Sequence, residues 1–296
     1  MITEQPNPKS QTIDQMSTRD ILETINNEDQ RVALAVRDVM PNIREAVDAI
    51  YERMSRGGRL IYTGAGTSGR LGILDAAECV PTFGTPPELV VGVLAGGEYA
   101  IQHSVEGAED RVESGLNDLR ALKLTERDAV IGIAASGTTP YVLGALNYAS
   151  RIGALTIGLA CNNPAPVLDA AQIKIGVLVG PEVITGSTRM KAGTAQKLVL
   201  NMISTAVMVK LGKVYGNLMV DMSTSNEKLA RRARGIVQEV TGVDTARADH
   251  LLRAAGGSAK LAIVMQLRNL DAAAARATLE AADGQLRRVL EEHPRP

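Results

Sequence analysis

The chain has 296 residues, 45% of them apolar, and a formal net charge of −1 from 32 basic and 33 acidic side chains. That length supports one large domain and a smaller one, and the balanced charge gives no global field to attract nucleic acid or an anionic membrane. Two cysteines (Cys79, Cys161) without a CxxC pair and three scattered histidines argue against a disulfide framework or a zinc cluster, and the lack of tryptophan, with Phe83 the only phenylalanine, removes the stacking platforms of single-strand nucleic-acid binders.

The polar opening MITEQPNPKSQTIDQ has no signal-peptide core, so a cytoplasmic address is expected. From about Ser17 to Arg56 the pattern is helical, interrupted at Pro41 and stopped by Gly57-Gly58, which predicts an N-terminal helical arm over residues 1–56. Strands are predicted at Arg59–Thr63, Leu89–Leu94, Ala129–Ala134, Ala154–Ala160 and Ile173–Val179, most separated by Ala- and Leu-rich helical segments. Near-continuous apolar strands alternating with helices predict an α/β fold, a doubly wound five-stranded parallel sheet over residues 57–222. The apolar helix around Leu198 to Leu211 is interrupted by Asn201 and Lys210, so no membrane span is expected. Beyond a boundary near Ser223 the strand signal ends, and residues 223–296 read as a small domain of three or four short helices, with a three-helix module over Gly242 to Leu270.

Three glycine- and hydroxyl-rich loops stand where chain elements should give way to helices. The first, Gly64-Ala65-Gly66-Thr67-Ser68-Gly69-Arg70, follows the first strand; the second, Ser136-Gly137-Thr138-Thr139-Pro140, follows the third; the last, Thr185-Gly186-Ser187-Thr188-Arg189-Met190-Lys191, precedes a long helix. Glycines turn backbone N–H groups toward an anion, a helix N-terminus adds its dipole, and hydroxyls add donors, so a phosphate is the expected ligand. Each loop alone also reads as an ordinary turn with a Ser or Thr N-cap. Gly64, Gly66 and Gly69 fit a dinucleotide fingerprint, but a dinucleotide site wants an acid at the end of the second strand, about 20 residues on. This chain has Leu94-Ala95-Gly96-Gly97 there. A small sugar phosphate accounts for all three loops with one site, in which Arg189 and Lys191 are candidate cations.

Longer runs are more specific: GAGTSGRLGILDAAEC at Gly64–Cys79, AGGEYAIQHSVEGAED at Ala95–Asp110, TGSTRMKAGTAQKLVLNM at Thr185–Met202, and GNLMVD at Gly216–Asp221. Together they resemble the N-acetylmuramic acid 6-phosphate etherases, a family within the sugar isomerase (SIS) superfamily, from about Ile13 to the C-terminus. The resemblance implies a flavodoxin-like SIS domain, a small helical domain, a homodimer, and cleavage of the D-lactyl ether of the sugar phosphate by water in cell-wall recycling, with no cofactor or metal. It maps Glu78 as proton donor and Glu109 as the second acid-base residue. The sugar phosphate is then expected on Gly66, Thr67, Ser68, Ser136, Gly137, Thr138, Thr139, Ser187, Thr188 and Lys191. Thr138 stands where many relatives carry arginine, shifting phosphate neutralisation toward amides, hydroxyls and Lys191 or Arg189.

The chemistry is coherent by itself. An alkyl ether has a poor leaving group, yet in the open-chain sugar the aldehyde acidifies the C2 proton, so one carboxylate and one carboxylic acid suffice for elimination followed by hydration. The apolar stretch Leu71–Ala77 before Glu78 is a setting in which burial raises a carboxyl pKa, although by spacing alone both glutamates read as ordinary helix acids, and His103 is an accessory candidate for ring opening or for orienting Glu109. A sugar-phosphate-binding regulator without catalysis and an aldose-ketose phosphate isomerase are the alternatives; a regulator needs the loops but not the glutamate pair.

Overall fold

The structure, a computed structural model, describes residues 1–224 and 226–291, and the final residues of the expected C-terminal domain lie outside this range. Two helices, α1 (Thr18–Asp38) and α2 (Met40–Ser55), form the N-terminal arm, the break falling at Val39 so that Pro41 lies in the first turn of α2, where no amide donor is lost. Then follow β1 (Leu60–Gly64), α3 (Gly66–Phe83), β2 (Val90–Leu94), α4 (Tyr99–Gln102), α5 (Val112–Ala121), β3 (Ala129–Ala134), α6 (Pro140–Ile152), β4 (Leu155–Ala160), α7 (Pro166–Asp169), β5 (Ile173–Gly176) and α8 (Lys191–Lys210). The strands form one parallel sheet in the order β2-β1-β3-β4-β5.

β3 and β4 are buried along their full length, as a sheet covered on both faces requires. Ile61 and Val130 face a cluster that includes Leu119 of α5 and Val142, Ala145 and Leu146 of α6. Tyr62 faces the other side, against Gly72 of α3, and donates its hydroxyl to Asp75 at 2.7 Å. Asp75 also accepts from Asn201 (2.6 Å) and Ser204 (3.1 Å) of α8, which ties α8 to α3.

The chain divides into two compact units, Met1–Ala77 with Pro87–Ser204, and Glu78–Pro86 with the chain from Thr205 onward. The second unit thus begins before residue 223, because Val220 and Met222 belong to its core with Ala233, Ile236, Ile263 and Val264. It contains α9 (Glu227–Thr241), α10 (Thr245–Ala254), α11 (Ala259–Arg268), α12 (Ala272–Ala281) and α13 (Leu286–Glu291). Among the described residues five helices therefore stand where three or four were expected, and Gly242 to Leu270 holds two rather than three. The boundaries follow local chemistry. Asn226, Asp244, Ser258 and Asp271 each accept a backbone N–H three residues on, and these N-caps divide an Ala-rich tract whose composition alone hides the breaks. Among the described residues no helix is long and apolar enough to cross a membrane.

Helices α5 and α6 touch backbone to backbone. A Cβ on Gly144 would sit 2.0 Å from the Val112 carbonyl oxygen, and one on Gly115 2.0 Å from that of Tyr141. Gly144→Ala is therefore expected to lower the free energy of unfolding by about 1–3 kcal/mol. Gly235, on the exposed side of α9, has no atom within 4 Å of an added Cβ, so Gly235→Ala should raise it by about 0.5–1 kcal/mol through helix propensity. Urea titration of the two variants beside the parent chain checks both signs.

Candidate active site

The strand order sets the location of the site. From β1 the chain passes to β2 on one side, and β3 pairs on the other, with Gly64 beside Ile133 in register. The loops after β1 and β3 therefore diverge at the carboxyl edge of the sheet and leave a crevice, the usual ligand position in such sheets. The second loop turns at Gly137, whose φ is +77°. Ser136 Oγ accepts from the Thr138 amide (3.2 Å) and from the Thr138 hydroxyl (3.1 Å). Thr139 occupies the N-cap position of α6 without making a side-chain capping bond, so its hydroxyl is not committed to the helix as an ordinary cap would be.

Asn162, at the end of β4, holds this loop from behind. Its amide nitrogen donates to the Ala135 and Ser136 carbonyls, both at 3.1 Å, and to Thr3 Oγ1 at 3.0 Å, while its oxygen accepts from the Ile2 and Thr3 amides. The polar N-terminal segment is thus a packed strap: Thr3, Asn7 and Ser10 are buried, and Ser10 donates to the Val183 carbonyl at 2.7 Å. No local pattern signals this strap, because its partners lie 159 to 174 residues away and the segment has no periodicity.

Two expected phosphate ligands are occupied elsewhere. Lys191 is 1% exposed, and its ammonium donates to Glu28 of α1. Glu28 is equally buried and accepts further from Lys9 (2.9 Å) and Asn7 (3.0 Å). Burial raises the Glu28 pKa, but the hydrogen bonds from Lys191, Lys9 and Asn7 outweigh it and hold the carboxyl at about 2. The two first amides of α8, those of Lys191 and Ala192, donate to the buried carboxylate of Glu182 at 3.1 and 2.9 Å. Ser68 is buried as well and donates to Gln196 Oε1 at 3.0 Å. The start of α8 therefore packs against the first loop, with Gly193 beside Thr67, and Lys191 and Ser68 are each hydrogen-bonded within the core. Ser187 and Thr188 stay half-buried on their loop, and Arg189 is exposed.

A cavity of about 350 Å³ lies between the first loop and the segment after α4, lined by Gly66, Arg70, His103, Glu106 and Glu109 among others. The Glu109 side chain is exposed to it, and its backbone carbonyl accepts from the Tyr141 amide at 2.9 Å, which fixes the loop to the start of α6. His103 stacks on Tyr99, with ring centroids 4.2 Å apart and 7° between planes, and its Nδ1 lies 3.2 Å from the Tyr99 carbonyl. Of the expected residues, Gly66, His103 and Glu109 line this cavity. Glu78, in the second unit, is exposed on α3, so the burial expected from the preceding apolar stretch is not found: that stretch packs with helical period, and position 78 falls on its open side.

Residues 42–150 match the family model described as the glucokinase regulatory protein N-terminal SIS domain, and residues 216–278 the C-terminal lid domain of the same protein. Over 286 residues, 97% of this chain and 94% of the relative, the chain is 58% identical to an N-acetylmuramic acid 6-phosphate etherase of Caldanaerobacter subterraneus subsp. tengcongensis. It is 56% identical over 292 residues to the proteins of that name from Vibrio vulnificus (99% of this chain, 97% of the relative) and Escherichia coli O139:H28 (99% and 98%). The chain belongs to the N-acetylmuramic acid 6-phosphate etherase family. Among solved structures, a phosphoheptose isomerase from Francisella tularensis matches with a TM-score of 0.54 at 16% identity, covering 66% of this chain and all of that one, which shows a shared sugar isomerase fold.

The family assignment leaves Arg70, Glu28, Glu182 and Asn162 as the residues that sequence reasoning missed. Only Arg70 carried a local signal, its place at the end of the first glycine loop.

Because the folded Glu28 pKa lies below its ordinary value of 4.5, the ion pair contributes stability above that value, and the contribution is lost as pH falls from 4.5 through about 2. Glu28→Gln leaves Lys191 buried without its counter-charge and is expected to cost roughly 3–5 kcal/mol at neutral pH. Unfolding free energies measured from pH 7 to pH 2.5 should fall steeply below pH 4.5 in the parent chain, with a shallower decline in the variant.

Proposed function

We propose that this chain cleaves the D-lactyl ether of N-acetylmuramic acid 6-phosphate with water, giving N-acetylglucosamine 6-phosphate and (R)-lactate, as a step in murein recycling. The observation that carries the reading is identity of 56–58% to etherases over nearly the whole chain. Glu109 on a cavity beside a glycine loop at the sheet's switch point supports it.

In the proposed mechanism Glu109 takes the C2 proton of the open-chain sugar. The electron pair left at C2 becomes the C2–C3 double bond as the C3–O bond breaks, and Glu78 delivers a proton to the departing lactate oxygen. Water then adds at C3, giving a proton to the carboxylate, and C2 is reprotonated. The second and third loops, through Ser136, Gly137, Thr138, Thr139, Ser187 and Thr188, and the first, through Gly66 and Thr67, hold the phosphate with amides and hydroxyls. The first compact unit serves as the sugar-phosphate domain and the second as the helical domain, and the working form is a cytoplasmic homodimer. Exposed apolar side chains on the protomer, Leu22 and Leu34 of α1 among them, are available to such an association. Sedimentation equilibrium should then give twice the chain mass of 31.3 kDa.

A regulatory reading is favoured by one observation: both matching family models are described for a regulatory protein. Incubation of the purified chain with N-acetylmuramic acid 6-phosphate separates the two, since an etherase releases lactate and a sensor binds the sugar and leaves it intact. In deuterated water, Glu109→Gln should lose both lactate release and C2 exchange by about 10²- to 10⁴-fold, whereas Glu78→Gln should lose lactate release and keep measurable C2 exchange. The opposite pattern would reverse the two roles, and full lactate release in both variants would remove the carboxylate mechanism.

A further inference from the structure

Arg70 is tied down along one edge of its guanidinium. Nε donates to the Ala100 and Ile101 carbonyls at 3.1 and 2.9 Å, and Nη2 to those of Ala100 and His103 at 2.8 and 3.0 Å. These carbonyls belong to the last residues of α4 and the residue after it, so the positive charge sits where that short helix leaves acceptors unpaired. The planar group is fixed before any ligand arrives, and its Nη1 donates to none of the described residues. A guanidinium held in this way presents a preorganised donor at little further entropic cost.

The cavity it lines has an uneven charge pattern. Glu106 and Glu109 are acids, His103 is the other titratable side chain, and Arg70 is the only permanently charged cation among the described lining residues. On the lactyl-ether reading, on which this inference rests, the substrate brings two anions. The lactyl carboxylate is two bonds from the ether oxygen on C3, next to the carbon whose proton Glu109 removes; the phosphate is on C6, at the far end of the sugar. Any base acting at C2 therefore meets the lactyl carboxylate in the same space, and two like charges there repel unless a cation intervenes. We infer that Arg70 receives the lactyl carboxylate and is the residue that selects a lactyl-bearing sugar phosphate over one without it. The edge facing α4 positions the guanidinium, and the remaining nitrogen meets the carboxylate.

The test pairs a protein change with a ligand change, so that loosening of the loop alone does not mimic the result. Parent, Arg70→Gln and Arg70→Lys proteins are assayed with N-acetylmuramic acid 6-phosphate and with its lactyl amide, which keeps the phosphate and ether but lacks the carboxylate charge. The parent should prefer the acid over the amide in kcat/KM by about 10- to 100-fold, the range of one charge-assisted contact. In Arg70→Gln the preference should collapse toward one, with part of it restored in Arg70→Lys. Affinity for N-acetylglucosamine 6-phosphate, measured by calorimetry, should change less than about 3-fold, as expected when a charge-assisted contact of that size is not involved. An acid preference that survives in Arg70→Gln overturns the inference. So does a parallel loss of N-acetylglucosamine 6-phosphate binding, which would assign the cation to the phosphate. If the parent protein releases no lactate at all, it is the lactyl-ether reading that fails.

Discussion

Lys191 and Glu28 lie 163 residues apart in sequence, and each buries a full charge almost completely. Such a pair gains little over a well-packed apolar pair, because desolvating two ions consumes most of the Coulomb energy. What it does is exclude alternatives: any arrangement that separates the partners leaves a bare charge in the interior. Through Glu28 the same constraint reaches Asn7 and Lys9 of the N-terminal strap, and through the Lys191 and Ala192 amides it reaches Glu182. The third hydroxyl loop lies between Glu182 and Lys191, so both its ends are fixed by buried carboxylates. A loop with a lone glycine turn and several hydroxyls has little apolar surface to hold it in place; here buried charge supplies the order.

The second unit repeats the device. Lys260 of α11 is nearly buried, and its ammonium donates to Asp221 (2.6 Å) and to the Gly212 and Gly284 carbonyls, both at 2.9 Å. Burial pulls its pKa down, and Asp221 offsets part of that effect. All three protons of the ammonium are used, which is what a buried cation requires. Asp221 closes the run GNLMVD, and its role within this unit is accordingly to organise a helical core.

The strands were legible because burial on both faces leaves a mark any window detects. The runs at 129–134 and 155–160 are uninterrupted apolar or small residues, and the structure buries all of them. The glycine loops were legible for a local reason too, since turn chemistry is written in adjacent residues. The buried partners of Lys191 and Ser68 were not legible because Glu28 and Gln196 are distant in sequence, and a first-turn lysine with no visible counter-charge looks like a ligand residue. The helix count beyond residue 226 failed in the opposite direction. Apolar periodicity runs on through an Ala-rich tract, whereas the breaks are set by single capping side chains, Asp244, Ser258 and Asp271.

A division of labour follows from which side chains are committed. Helices α9 to α12 begin with capping side chains, whereas α6, which follows a phosphate-type loop, begins at Thr139 with no such bond. The Tyr141 amide, one of the donors that a cap would satisfy, goes instead to the Glu109 carbonyl, and Asn162 holds the loop through its carbonyls. Around the cavity the pattern is similar: Arg70 spends one edge on carbonyls, and Tyr141 fixes Glu109 through the backbone while the carboxylate stays open. Rigidity comes from main-chain contacts, and side-chain chemistry remains available. An elimination that ends with water adding to C3 needs that arrangement, because its base must be held in place and still reach both the substrate proton and the solvent.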